Sequence, residues 1–362
     1  MSFIIHLKKL DWILIFTSLL LVGFGLLSLY SSSIGREDFG NFQKQLIFFA
    51  IGILGMLAIS FLDYRVLRND PYFLLLLYGI GVIALAGLLV FAPEIRGTQG
   101  WYRIGVLTID PTEYIKIVLI LLMAKYLSTR HVELYRAQHI LLSGFYFAAP
   151  ALLIFLQPEL GSALILLGLW IVMLLVSGIR LLQFLAIVGM GLAIFSFGWS
   201  VVLQDYQKNR LISFVEPELD PLGIGWSQLQ AKISIGNGGI WGQGIGGGTQ
   251  TQYGFLSEPQ TDFIFAAISE EFGFAGVLLL LFLFLVLVGR ILRIGMAAQS
   301  NFPRLFANGF AILLAVQVMV NVGMNLGFLP IIGIPLPMVS YGGSSLLMSF
   351  VGLGILQSIR TH

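Results

Sequence analysis

Asp262 is the acidic residue in this sequence best placed for chemistry. It closes the polar run Ser257-Glu258-Pro259-Gln260-Thr261 and directly precedes the apolar Phe263-Ile264-Phe265-Ala266. A carboxylate at a polar-to-apolar boundary is partly desolvated, which suits it to take a proton from an alcohol. Asp is also a favoured helix N-cap, so the position reads as well as a helix start. Glu113 and Lys116 stand three residues apart, the spacing at which helical side chains pair. They form either a helix-start ion pair or the charged part of a binding site. Glu159 sits in the break Gln157-Pro158-Glu159-Leu160-Gly161. Glu270 and Glu271 are adjacent and point about 100° apart on a helix, so at most one shares a face with Asp262. Gln317, Asn321 and Asn325 recur every four residues as one polar stripe, a pattern that favours hydrogen bonding between helices over a substrate path.

These groups must be positioned by a chain built for lipid. Of 362 residues, 57% are apolar and 10% charged, with mean hydropathy +0.93, which excludes an ordinary soluble enzyme. The fold class expected is an all-α polytopic membrane protein, a single integral membrane domain over 1–362 with about ten transmembrane helices. Uncharged apolar runs place these near 12–30, 43–62, 72–92, 112–128, 139–156, 160–178, 181–203, 263–289, 305–328 and 338–358. The fourth is the faintest, because Lys116 and Lys125 leave only eight uncharged residues between them. Lys125 is expected to snorkel to the interface. The first run is too long for a signal peptide and lacks a small-residue cleavage site after it, so it is expected to stay as a helix. Between the seventh and eighth spans lies the one long non-apolar stretch, 204–262.

Lys and Arg in the loops set the orientation. With both termini cytoplasmic, the inner side holds Lys8, Lys9, Arg65, Arg68, Lys125, Arg130, Arg136, Arg180, Arg290, Arg293, Arg304 and Arg360. Short outer loops hold only Arg36, Lys44, Arg96 and Arg103, so 204–262 becomes a large extracytoplasmic loop. A net charge of +2 offers no field for nucleic acid. Without cysteine there is no disulfide or thiolate chemistry. His6, His131, His139 and His362 lie at cytoplasmic ends without ligand spacing, so neither a nucleophilic triad on the outer side nor a protein-made metal site is visible. Gly242, Gly244 and Gly247 satisfy GxGxxG, but no strand precedes them and the dinucleotide reading fails. The glycine-rich run Gly236 to Gly248 is then either a set of amides able to line a diphosphate or a flexible loop. Arg210 and Lys232 flank it and would suit an anionic headgroup. On residues alone, a transporter and a lipid-processing enzyme stay tied.

The stretch Leu256 to Ala266, with Glu270-Glu271-Phe272-Gly273 after it, strongly resembles the SEDS family (shape, elongation, division and sporulation proteins). The likeness extends to Gly333-Ile334-Pro335-Leu336-Pro337-Met338-Val339-Ser340-Tyr341-Gly342-Gly343-Ser344-Ser345, to Gln157-Pro158-Glu159-Leu160-Gly161 and to Asp220-Pro221-Leu222-Gly223-Ile224-Gly225-Trp226. It also covers Asp110-Pro111-Thr112-Glu113 with Lys116. Gly248-Thr249-Gln250-Thr251-Gln252 is more similar to the elongation branch, RodA, than to the division branch, FtsW. Ser257 and Gln260 stand where the family usually has proline and histidine, Gln243 where lysine is common, and Thr112 where serine is usual. Gly100-Trp101-Tyr102 replaces an Arg-Trp-Ile stretch.

The resemblance implies a peptidoglycan glycosyltransferase of the bacterial cytoplasmic membrane, using lipid II on its outer face and extending a nascent glycan strand. It implies a class B penicillin-binding protein as partner. The family's essential aspartate matches Asp262, its acidic and basic pair matches Glu113 and Lys116, and its loop arginine matches Arg210. Glu159 joins them as a substrate-binding residue. No cofactor is evident, and a divalent cation at the diphosphate is left open. The rival is a flippase for the same lipid-linked precursor, in which Glu113, Lys116 and the Gln317 stripe would form a translocation path.

Overall fold

A computed structural model describes residues 3–93, 100–105, 107–130, 137–201, 208, 212, 214 and 223–362. The helices are α1 (Phe3–Lys9), α2 (Trp12–Arg36), α3 (Gly40–Ser60), α4 (Arg65–Asn69), α5 (Pro71–Phe91), α6 (Pro111–Arg130), α7 (Ala137–Leu156), α8 (Leu160–Val176) and α9 (Leu181–Val201). After the 204–222 stretch come α10 (Ile224–Asn237), α11 (Thr249–Gln252), α12 (Ile264–Ala297), α13 (Asn301–Leu326) and α14 (Gly343–Thr361). Ten of these fall where the ten spans were expected. Seven of the ten (α2, α3, α5, α7, α9, α12 and α13) are long and apolar enough to cross a membrane, so the chain is a multi-pass membrane protein. The antiparallel pair β1 (Tyr102–Ile104) and β2 (Leu107–Ile109), with Tyr102 opposite Ile109, was not foreseen.

Helix starts follow local chemistry. The Asp11 and Asp70 carboxylates cap α2 and α5 by accepting from Leu14 N and from Tyr72 and Phe73 N, and Pro71 opens α5. α6 is the centre of the bundle and packs against α5, α7, α8, α13 and α14. From Ile115 to Ala124 every side chain on it is buried, so its charges face protein and not lipid. α2 carries the chain from one end of the bundle to the other. At its start, Asp11 N donates to Gln357 of α14, and His6 lies 6.0 Å from His362, so both termini share one end. Ser32, about 30 Å further along the helix axis, accepts a hydrogen bond from Gln260 Nε2, which puts Asp262 at the other end.

α12 breaks at Gly273, where φ 66° and ψ −168° leave the helical region and require glycine. The break frees backbone groups that must be satisfied inside a membrane protein. The glycine-rich loop supplies them: Gln243 N and Gly244 N donate to the Glu270 and Glu271 carbonyls, while Phe274 N and Ala275 N donate to Gly239 O and Ile240 O. These bonds give the loop a structural role that neither expectation named. The loop is tied to α12 by these bonds and to α2 by Ser31, whose Oγ accepts from Gly246 N.

Candidate active site

Asp262 sits one residue before the N-cap of α12. That cap is Phe263, which makes no side-chain capping bond. The Asp262 side chain is partly solvent-exposed. Its backbone is clamped: Asn321 and Asn325 of α13 donate from Nδ2 to Asp262 O at 3.1 and 2.9 Å. Asn321 also reaches Ile334 O, and Asn325 Oδ1 accepts from Ala266 N. The polar stripe thus bonds backbone between elements, as its spacing implied, although the Gln317 Nε2 is buried without a partner among the described residues. Thr261 O accepts from Ser340 Oγ, and Gln260 O accepts from Tyr341 N. The segment 333–345 therefore grips both residues that precede Asp262.

The same segment reaches the second group of charges. Gly333, at φ +71°, faces Asp262, and a Cβ there would lie 3.7 Å from Oδ2. Its neighbour Ile332 packs its carbonyl against Gly161, two residues from Glu159. Ser344 Oγ accepts from Asp110 N at 2.9 Å. On α6, Lys116 Nζ donates to Glu113 Oε1 at 2.9 Å, with both side chains buried. One loop thus abuts Asp262 directly and, through Gly161 and Asp110, the backbone beside Glu159, Glu113 and Lys116.

Asp110 was overlooked as a site residue, though its place three residues before Glu113 in one motif was the available signal. Its Oδ1 accepts from Thr112 N at 2.7 Å. Burial, then the Glu113 carboxylate, push the Asp110 carboxyl up to about 6, against the opposing pull of Lys116. Glu159 is pushed up to about 8, first by burial and then by Asp110. Its Oε2 is buried without a partner among the described residues. One lysine among three carboxyls is a low-charge cluster only while some of them hold protons. No group of three or more His, Asp or Glu among the described residues is arranged to hold a metal ion, so the divalent cation left open by the sequence finds no ligand set there.

Other candidates lie elsewhere. Arg210 falls outside the described residues. Lys232 of α10 is exposed and sits against Gly327, at the end of α13. Glu270 is fully buried and accepts from Gln250 N, Thr251 N and Thr251 Oγ1 at 2.8, 3.1 and 2.9 Å, which fixes α11. Glu271 accepts from Ser31 Oγ of α2. Both adjacent glutamates hold structure together.

Fold and site together define a multi-pass membrane protein with a buried acidic cluster around one lysine and a clamped aspartate at the end opposite its termini. A family model described as "Cell cycle protein" and named for FtsW, RodA and SpoVE matches residues 11–362, and the chain belongs to that family. Peptidoglycan glycosyltransferase MrdB of Escherichia coli K12 is 36% identical over 354 residues, covering 98% of this chain and 94% of MrdB. Stage V sporulation protein E of Bacillus subtilis is 35% identical over 370 residues, covering 97% of each. Among solved structures, a chain of a peptidoglycan synthase complex, described as coordinating polymerization and crosslinking, matches with TM-score 0.83 and 31% identity over 97% of both chains. Thermus thermophilus RodA matches with TM-score 0.72 and 29% identity over 97% of this chain and 96% of that one.

Proposed function

We propose that this chain is a peptidoglycan glycosyltransferase that polymerises lipid II on the outer face of the bacterial cytoplasmic membrane. One observation carries the proposal. Asp262 is partly exposed and backbone-clamped, and the 332–344 segment that abuts it also packs on Gly161, two residues after Glu159, and bonds Asp110 N, just ahead of Glu113 and Lys116. Membership of a family whose relatives are named peptidoglycan glycosyltransferases supports the same reading. The chain is read as one membrane domain with both termini cytoplasmic, by the lysine and arginine bias.

In this mechanism Asp262 takes the proton from the 4-hydroxyl of the acceptor's N-acetylglucosamine. The oxygen attacks the anomeric carbon of the donor's N-acetylmuramic acid and inverts it. The bond to undecaprenyl diphosphate breaks, and the diphosphate carries away the electron pair. General-base assistance of this kind is worth about 10²–10⁴-fold. Lys116, steered by Glu113, and Arg210 stabilise charge growing on the diphosphate. Glu159 belongs to the same charge cluster. A class B penicillin-binding protein is the crosslinking partner, in keeping with the synthase complex to which the fold is similar.

A flippase would need polar groups through the membrane. Between Lys116 and Lys125, α6 buries only apolar side chains, and Asn321 and Asn325 are committed to backbone bonds. The deciding experiment gives purified protein lipid II. Wild type is expected to make glycan strands and a folded Asp262→Asn protein none; polymer from that variant overturns the proposal.

A further inference from the structure

At the end that carries the termini, a cavity of about 330 Å³ opens between the start of α2 and the last turns of α12 and α14. Arg290, Arg293 and Arg360 line it, with Asp11 as its one carboxylate. Asp11 is already committed. Its Oδ1 caps α2, while Oδ2 takes Arg290 at 2.5 Å and also Arg360. Arg290 Nε is buried without a partner, and Arg293 has no ion pair or hydrogen bond among the described residues. Three guanidiniums against one carboxylate leave two positive charges facing an open space. Guanidinium forks match phosphate oxygens in geometry as well as charge.

The rest of the lining is apolar, with Ile294, Ala297, Ala298 and Ile359. Nearby, Trp12 donates its Nε1 to Leu7 O with its ring half-exposed, as an aromatic side chain at a membrane interface does. We propose that this cavity binds a phosphate-bearing anion, and that the apolar wall selects the headgroup of an anionic phospholipid over free phosphate. The site is remote from Asp262 and does not depend on the catalytic proposal.

Full-length protein in detergent is tested by its unfolding midpoint with added phosphatidylglycerol, with phosphatidylcholine of the same acyl chains, or with inorganic phosphate. The midpoint is expected to rise more with phosphatidylglycerol than with phosphatidylcholine. Arg293→Gln, which breaks no existing bond, should remove most of that difference, while Arg304→Gln, outside the cavity, should keep it. A response to inorganic phosphate as large as to phosphatidylglycerol keeps the site and reassigns its source to a soluble anion. Helix C-termini also favour arginine without any ligand. In that case Arg293→Gln would lower the midpoint equally in both lipids, and the proposal falls. It falls too if the two lipids act alike on wild type, or if Arg304→Gln loses the difference as fully as Arg293→Gln.

Discussion

Glu270 and Glu159 are both acidic side chains at the same end of the bundle, and they are treated in opposite ways. Glu270 is fully buried and meets two backbone amides and a threonine hydroxyl. Glu159 keeps one oxygen buried without a partner and shares a single lysine with Asp110 and Glu113. An unsatisfied buried polar group is costly, so natural proteins fill such positions where stability is the purpose. The saturated carboxylate fixes architecture, whereas the unsaturated set is where the proposed function places the substrate.

The sharpest break of that contrast is Asp262→Asn. It should cut polymerisation of lipid II at least about 10²-fold while the unfolding midpoint in detergent stays at the wild-type value. Equal loss of folding would move Asp262 to the structural side. Next, Lys116→Met strands Glu113 in the core and should destabilise by roughly 3–5 kcal/mol. Adding Glu113→Gln should recover much of that stability in a denaturation series without recovering activity. Glu270→Ala leaves three donors facing no acceptor and should cost about 1–3 kcal/mol. The fraction that stays folded should polymerise normally.

The smallest effect is on pH. Glu159 and Asp110 have raised folded-state values, so the folded protein holds more protons than the unfolded chain between about 3.8 and 8. Stability therefore falls as pH rises through that window, and is fully present below it. Glu159→Gln should flatten the upper part of the fall, read as unfolding midpoint against pH.

Much of the architecture was legible because lipid imposes long apolar runs. The seventh run reads plainly, and α9 packs only lightly on its neighbours, so its whole circumference is apolar. α6 was the faintest because its neighbours, not lipid, surround it, and a helix so shielded can carry Glu113 and Lys116. Hydropathy cannot distinguish a central polar helix from a loop. The break at Gly273 was invisible for a related reason: the apolar run continues through it, and only the loop far upstream reveals which backbone groups needed partners. Of the site, Asp262, Glu113, Lys116 and Glu159 were readable as charges out of place. The shared 333–345 support was not, since nothing local in that stretch states which distant backbone it binds.

The break in α12 has one more consequence. Four main-chain bonds, two on each side of Gly273, tie both halves of α12 to a loop whose Trp241 ring is 82% exposed. With the other five tryptophans replaced, that indole would be a built-in optical reporter. Its emission should shift when a sugar acceptor settles beside the aspartate, giving a fluorescence signal for occupancy with no dye attached.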